Sequence, residues 1–197
     1  MRILFALFTC CVLFTFIEAA PFCACCAERG TYSLNVKKPE AYEIDQLKRI
    51  QIQTTELYTD AGYPETIKGI KPLGETFIAS CVLQNKLWKF DLKDEKNQGG
   101  VLSFPLSATM VDYKVDYNEN DEKAPDATLY KEWRFKTKVT NATGIFQFGV
   151  KPTAEYFLVL QGRGNKCTQA EDFTHWRLEI TGKNAGYAFF GKLKQPV

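Results

Sequence analysis

The sequence predicts an all-β protein: a single antiparallel β-sandwich of about nine or ten short strands. Three observations carry this reading. Apolar and polar residues alternate over short runs, the period of a strand with one buried face. Clusters of glycine, proline and asparagine fall between those runs and turn the chain. Almost nothing past the N-terminal leader sustains the repeat of an amphipathic helix. With 197 residues, 45% hydrophobic and 14% aromatic, the chain is long enough for one sizeable core.

Residues 1–20 read as a signal peptide. Arg2 supplies the positive start, and residues 3–17 are apolar apart from Thr9, Thr15 and two cysteines. Glu18-Ala19-Ala20-Pro21 then offers small residues for cleavage after Ala19 or Ala20. The apolar run falls short of the roughly 20 residues that a membrane-spanning helix needs. No second run approaches that length. The expectation is an exported protein, secreted or periplasmic, with no stable membrane span once the leader is cut. Neither Cys10 nor Cys23 follows the small residues of a lipid-acceptor site. Formal net charge is +2, with Lys and Arg mixed among Asp and Glu. A nucleic-acid binder shows a basic block with interleaved aromatics, so nucleic acid is excluded as a partner.

Past the leader, residues 21–30 form a cysteine-rich arm and residues 31–197 a single β-domain, since no repeat, low-complexity tract or linker divides them. Tyr32, Leu34 and Val36 alternate and predict a half-buried strand, which Pro39 stops. Residues 40–48 fit either a short helix or extended chain through Tyr42, Ile44 and Leu47. Residues 49–58 alternate again, with threonines that suit strands. Gly62, Pro64, Gly69, Pro72 and Gly74 mark a loop. Strands follow at 76–83, carrying Cys81, and through Leu87, Trp88, Phe90 and Leu92, with Gln84-Asn85-Lys86 as the hairpin between them. Residues 101–106 form an edge or irregular strand, because Pro105 removes a ladder donor. Val111, Tyr113, Val115 and Tyr117 alternate cleanly with charged residues, and an acidic loop follows at 118–127. Trp133, Phe135, Thr137 and Val139 then share one face, against Arg134, Lys136 and Lys138 on the other. A turn at 141–144 leads into a strand through Ile145, Phe146, Phe148 and Val150. The continuous apolar run at 156–160 suits a strand buried on both faces or a central one. Residues 168–172 suit one helical turn. Trp176, Leu178 and Ile180, then residues 187–190, close the chain. The strand count also suits a lipocalin-like β-barrel, which is the alternative architecture.

The cysteines carry the most pointed chemistry. Cys23, Cys25 and Cys26 crowd the arm, and only Cys81 and Cys167 lie beyond it. In an oxidising compartment cysteines pair, so these five are the disulfide candidates. A bridge from the cluster to Cys81 or Cys167 closes a long loop and stabilises by roughly 4 kcal/mol in the chain-entropy model. Five is odd, so one sulfur is left over. That sulfur is available for a disulfide-linked dimer. Two sharper readings use the cluster itself. Three thiolates suit copper or zinc, with His175 or another cysteine as fourth ligand, although structural zinc sites space their ligands in separated pairs. Cys23 and Cys26 form a Cys-x-x-Cys pair, but without the strand and helix that lower its thiol pKa.

His175 is the sole histidine, so any histidine base must be this one. A Cys167–His175 pair with Asp172 as orienter can be written, but no recognisable Cys-His signature surrounds it. Asp116, Asn118 and Asn120 occupy the first, third and fifth places of a calcium loop, but Asp121 and Ala127 fail its glycine and glutamate places. Gly162-Arg163-Gly164 lacks the third glycine and following helix of a nucleotide loop, so its glycines serve a bulge or turn at a strand end. Asn141-Ala142-Thr143 matches the glycosylation acceptor pattern in a turn. No catalytic motif is complete. The reading that follows is an exported, non-catalytic β-domain, without cofactor, that binds an unidentified ligand or protein partner and is stapled by its N-terminal cysteines. The alternative is a thiol-dependent metal-binding or redox protein using Cys23, Cys25 and Cys26.

Overall fold

The computed structural model describes residues 30–58, 68–70, 76–117, 127–165 and 168–194. They form one continuous, mostly antiparallel sheet of eleven strands. In chain order these are β1 (Gly30–Lys37), β2 (Thr54–Tyr58), β3 (Thr76–Gln84), β4 (Leu87–Lys93), β5 (Gly99–Pro105), β6 (Met110–Tyr117), β7 (Ala127–Lys138), β8 (Asn141–Ala142), β9 (Ala154–Asn165), β10 (Phe173–Gly182) and β11 (Gly186–Lys192). Their order across the sheet is β1-β6-β7-β9-β10-β11-β2-β3-β4-β5-β8. All-β is therefore correct. No helix among the described residues is long and apolar enough to cross a membrane.

Alternation dictates the core. Along β3, Phe77, Ala79, Cys81 and Leu83 point inward and their neighbours outward. Strands far apart in the sheet meet through these inner faces. Phe90 of β4 lies 5.7 Å from Trp176 of β10, and Phe104 of β5 stacks on Tyr156 of β9 at 3.9 Å. The Tyr156 hydroxyl donates to the Pro105 carbonyl at 2.8 Å. Trp88, Trp133 and Trp176 are all buried in the same core. Around Cys81, the side chains of Ile50, Ile52, Trp88, Phe90, Leu158, Leu160 and Trp176 close in so far that no water fits between them. The interior at this level is filled with side chains, as cores are.

The open choice at residues 40–48 falls to helix, and two expected strands differ: the one at 49–58 begins only at Thr54, and the one at 145–150 is absent. The ambiguous residues form a helix, α1 (Ala41–Arg49), opened by the Glu40 amide donating to the Glu43 carboxylate at 2.9 Å. Its buried residues are Glu43, Gln46 and Leu47, at helical spacing. Glu43 pairs with Lys37 at 2.6 Å, and Gln46 accepts from the Ala170 amide at 2.8 Å. Because polar residues carry the buried stripe, hydrophobic periodicity alone did not reveal it. The expected strand at 145–150 is instead a 3-10 turn, Gly144–Phe146, followed by further turns. Gly144 has φ +60°, and a Cβ there would lie 2.9 Å from the Gly99 carbonyl carbon. The chain must turn sharply at that contact.

One node ties β7, β9 and β10 together. Gly162 of β9 faces Lys131 on one side and Phe173 on the other, and both neighbouring ladders shift register there. The glycines thus serve bulges. They also let a second 3-10 turn, Ala170–Asp172, close onto β9. There Lys131, whose side chain is fully buried, reaches the Asp172 carboxylate at 2.6 Å.

Candidate binding face

The outer face of β1, β6, β7 and β9 brings aromatic and charged side chains together on one surface. Register places them in rows. Leu34, Tyr113, Glu132, Gln161 and His175 stand side by side across five strands. Val36, Val111, Arg134, Val159 and Arg177 form the next row, and Tyr32, Val115 and Tyr130 the one before. Glu132 is buried although it belongs to the outer face. It accepts from the Tyr130 hydroxyl and the Arg134 guanidinium, and from Gln161 at 3.2 Å. Gln161 also donates to the Tyr130 hydroxyl at 2.8 Å. Arg134 lies 5.0 Å over the Tyr113 ring, and Tyr113 meets Tyr130 edge to face at 6.2 Å.

Electrostatics follow from that cage. Burial raises the Glu132 pKa, but the bonds from Tyr130, Arg134 and Gln161 outweigh it and hold the carboxyl below its usual range. Burial and the neighbouring Glu132 push the Tyr130 phenol up. Glu132 therefore stays ionised and Tyr130 neutral at pH 7. The pair is held in a hydrogen-bonded cluster with Arg134 and Gln161.

At the end of the sheet, β1 carries Tyr32, Leu34 and Val36 at 76%, 56% and 62% exposure. The sequence predicted this strand and its alternation, but with the apolar residues inward. Ser33 and Asn35 on the other side are exposed as well, so residues 32–36 extend past the covered core on both faces, and only Lys37 is drawn in, to Glu43 of α1. Among the described residues β1 pairs only with β6. Half of its backbone groups therefore point away from the sheet.

Only some of the residues singled out in the sequence fall among the described ones. Cys23, Cys25, Cys26 and Cys167 lie outside the described residues, as does the calcium-like loop beyond Tyr117. Asp116, its first member, accepts from the Thr128 hydroxyl at 3.0 Å. Cys81 is buried and free, its sulfur donating to the Ile50 carbonyl at 3.6 Å. Among the described residues no disulfide is present, and no three His, Cys, Asp or Glu side chains are placed to hold a metal. His175 is exposed on β10, with Nδ1 2.9 Å from the Thr174 hydroxyl. Asp172 is taken up by Lys131 and by the Gln169 amide.

Burial pushes the Cys81 thiol from its ordinary value near 9 up to about 12. The folded state thus keeps a proton that the unfolded chain loses. This contribution to stability is whole below pH 9 and is lost as pH rises toward 12. Unfolding by urea at stepped pH is expected to show stability falling above pH 9, by up to about 1.4 kcal/mol per pH unit. C81A should delay the onset to the region above pH 10, where the raised tyrosines Tyr156 and Tyr187 take over. An unchanged onset in C81A would contradict this assignment.

No family model, curated protein or solved structure matches this chain.

Proposed function

We propose that this chain is an exported, non-catalytic β-domain that binds a protein partner, held at its N-terminus by disulfides. The observation that carries the binding role is β1: an edge strand that pairs only with β6 among the described residues and carries three exposed apolar side chains, beside a cluster of tyrosine and arginine. Surface tyrosine and arginine are the residue types that dominate binding hot spots, and an open edge accepts an extended segment as an added strand. The partner fitting both features is an extended polypeptide with alternating apolar side chains. The packing around Cys81 favours a binding site on the outside of the sheet over one inside it.

Cys81 accounts for the odd sulfur. Buried in the core, it stands apart, and Cys23, Cys25, Cys26 and Cys167 remain as an even set. Every complete pairing of those four puts one bridge within the cluster and one between the cluster and Cys167. The second closes most of the chain into a loop and stabilises by about 5 kcal/mol in the entropic model. Cys167 precedes Thr168, which is buried and whose carbonyl accepts from Tyr42 of α1 at 3.0 Å. A sandwich remains the architecture favoured by the pairing of β4 and β5 side chains with those of β9 and β10.

A photo-crosslinking residue at position 34 of the full chain, in the secreting cell, tests the binding role. The expected product is one identified partner whose extended segment, made as a peptide, protects β1 amides from hydrogen exchange. It should lose at least tenfold in affinity when Leu34 is replaced by lysine. Crosslinking no stronger than from exposed Thr181, or protection elsewhere than β1, would sink the reading.

A further inference from the structure

The sheet has a second end, β8, and it carries the acceptor pattern Asn141-Ala142-Thr143. Ala142 points inward and is buried, while Asn141 and Thr143 are exposed on either side. Asn141 pairs through its backbone with Ser103 of β5, and its side chain makes no hydrogen bond among the described residues. The turn that displays it is firmly held. The Thr143 amide donates to the Val101 carbonyl at 2.9 Å, and the Thr143 hydroxyl accepts from the Val101 amide at 3.0 Å. Gly100 packs against the Thr143 carbonyl so closely that a Cβ would lie 2.8 Å from its carbon. A bulky group on the Asn141 amide therefore projects into solvent and displaces nothing among the described residues.

We propose that Asn141 accepts an N-linked oligosaccharide when the chain passes through a glycosylating secretory route, a proposal that rests on the export reading. The donor is a lipid-pyrophosphate-linked oligosaccharide. The Asn141 Nδ2 forms a bond to C1 of its first sugar, the bond from that carbon to the pyrophosphate oxygen breaks, and the amide nitrogen gives up one proton. Nothing is oxidised or reduced. The consequence is a division of the sheet's two ends. A solvated glycan on β8 shields the edge beside β5 from strand addition, while β1 carries no such acceptor pattern.

The full chain is expressed in insect cells under its own leader and, in parallel, under an unrelated secretory leader. The expected result is one discrete loss of mass on treatment with a peptide N-glycosidase, aspartate read at position 141 of the treated peptide, and no loss of mass in N141Q. Chain in the medium or the secretory lumen without that mass step overturns the proposal. Retention in the cytosol under its own leader, with glycosylation under the unrelated one, overturns the export reading and leaves the Asn141 assignment standing.

Discussion

Replacing Lys131 by methionine is expected to cost about 3 kcal/mol of stability, the effect of stranding one member of a buried ion pair. Lys131 is among the largest fully buried side chains of the protein, alongside the three tryptophans. Its ammonium sits 2.6 Å from Asp172 and 5.8 Å from the Phe173 ring centroid. Burial lowers its pKa, and the bond and charge of Asp172 oppose that. Methionine keeps the stem's volume but leaves the Asp172 carboxylate without its cation. K131M/D172N removes both charges and should recover at least half of the loss, because an uncharged pair leaves no stranded charge. For a chain of this size the single variant should lower Tm by roughly 6 to 12 °C. Urea unfolding of the four members of this cycle measures the coupling. K131M within about 0.5 kcal/mol of the parent would contradict the role of the pair.

Replacing Gly162 by alanine is expected to cost about 3 kcal/mol or more, beyond ordinary overpacking. A Cβ at Gly162 would overlap the Asp172 carbonyl oxygen and lie 2.6 Å from its carbon and 2.7 Å from the Phe173 Cα. These are backbone atoms and cannot swing aside. Relief requires the 3-10 turn to lift from β9, which pulls Asp172 off Lys131. Gly164 meets the Asp172 side chain as closely and has φ +154°, so the same turn is clasped twice. Arg163, between them, is exposed, and R163A should stay within about 0.5 kcal/mol. Thermal melts of G162A and R163A decide the matter. Equal Tm values would show that the close approach is not needed.

Much of the fold was legible because alternation and turn chemistry act locally. β6 spans Met110–Tyr117 as its alternation indicates. The β3–β4 hairpin turns at Asn85 and Lys86, both with positive φ. The helical turn expected before Phe173 is there, and the 156–160 run lies in β9, between β7 and β10. What stayed hidden depends on partners distant in sequence. Lys131 falls in phase with Trp133 and Phe135, so its parity pointed inward, but nothing local announced that Asp172 would meet it. Alternation in β1 sets a period but does not reveal that residues 32–36 of this edge strand are exposed on both sides. α1 was masked by the polar residues Glu43 and Gln46 on its buried side. The candidate face is not legible locally, since it is assembled from β1, β6, β7 and β9 by register. Its one local signal was the Tyr-x-Glu-x-Arg spacing of residues 130, 132 and 134, which puts all three on one side of a strand.

The proposed staple and the separation of Cys81 from it meet in one measurement: a thiol and disulfide map of the exported chain, alkylated without reduction, first folded and then in denaturant. The expected result is no alkylation of the folded protein, and a single alkylated residue, Cys81, after unfolding. Two intramolecular bridges should appear, one of them joining Cys167 to Cys23, Cys25 or Cys26. Cys81 found in a bridge, or three free thiols at Cys23, Cys25 and Cys26 with bound copper or zinc, would contradict the account.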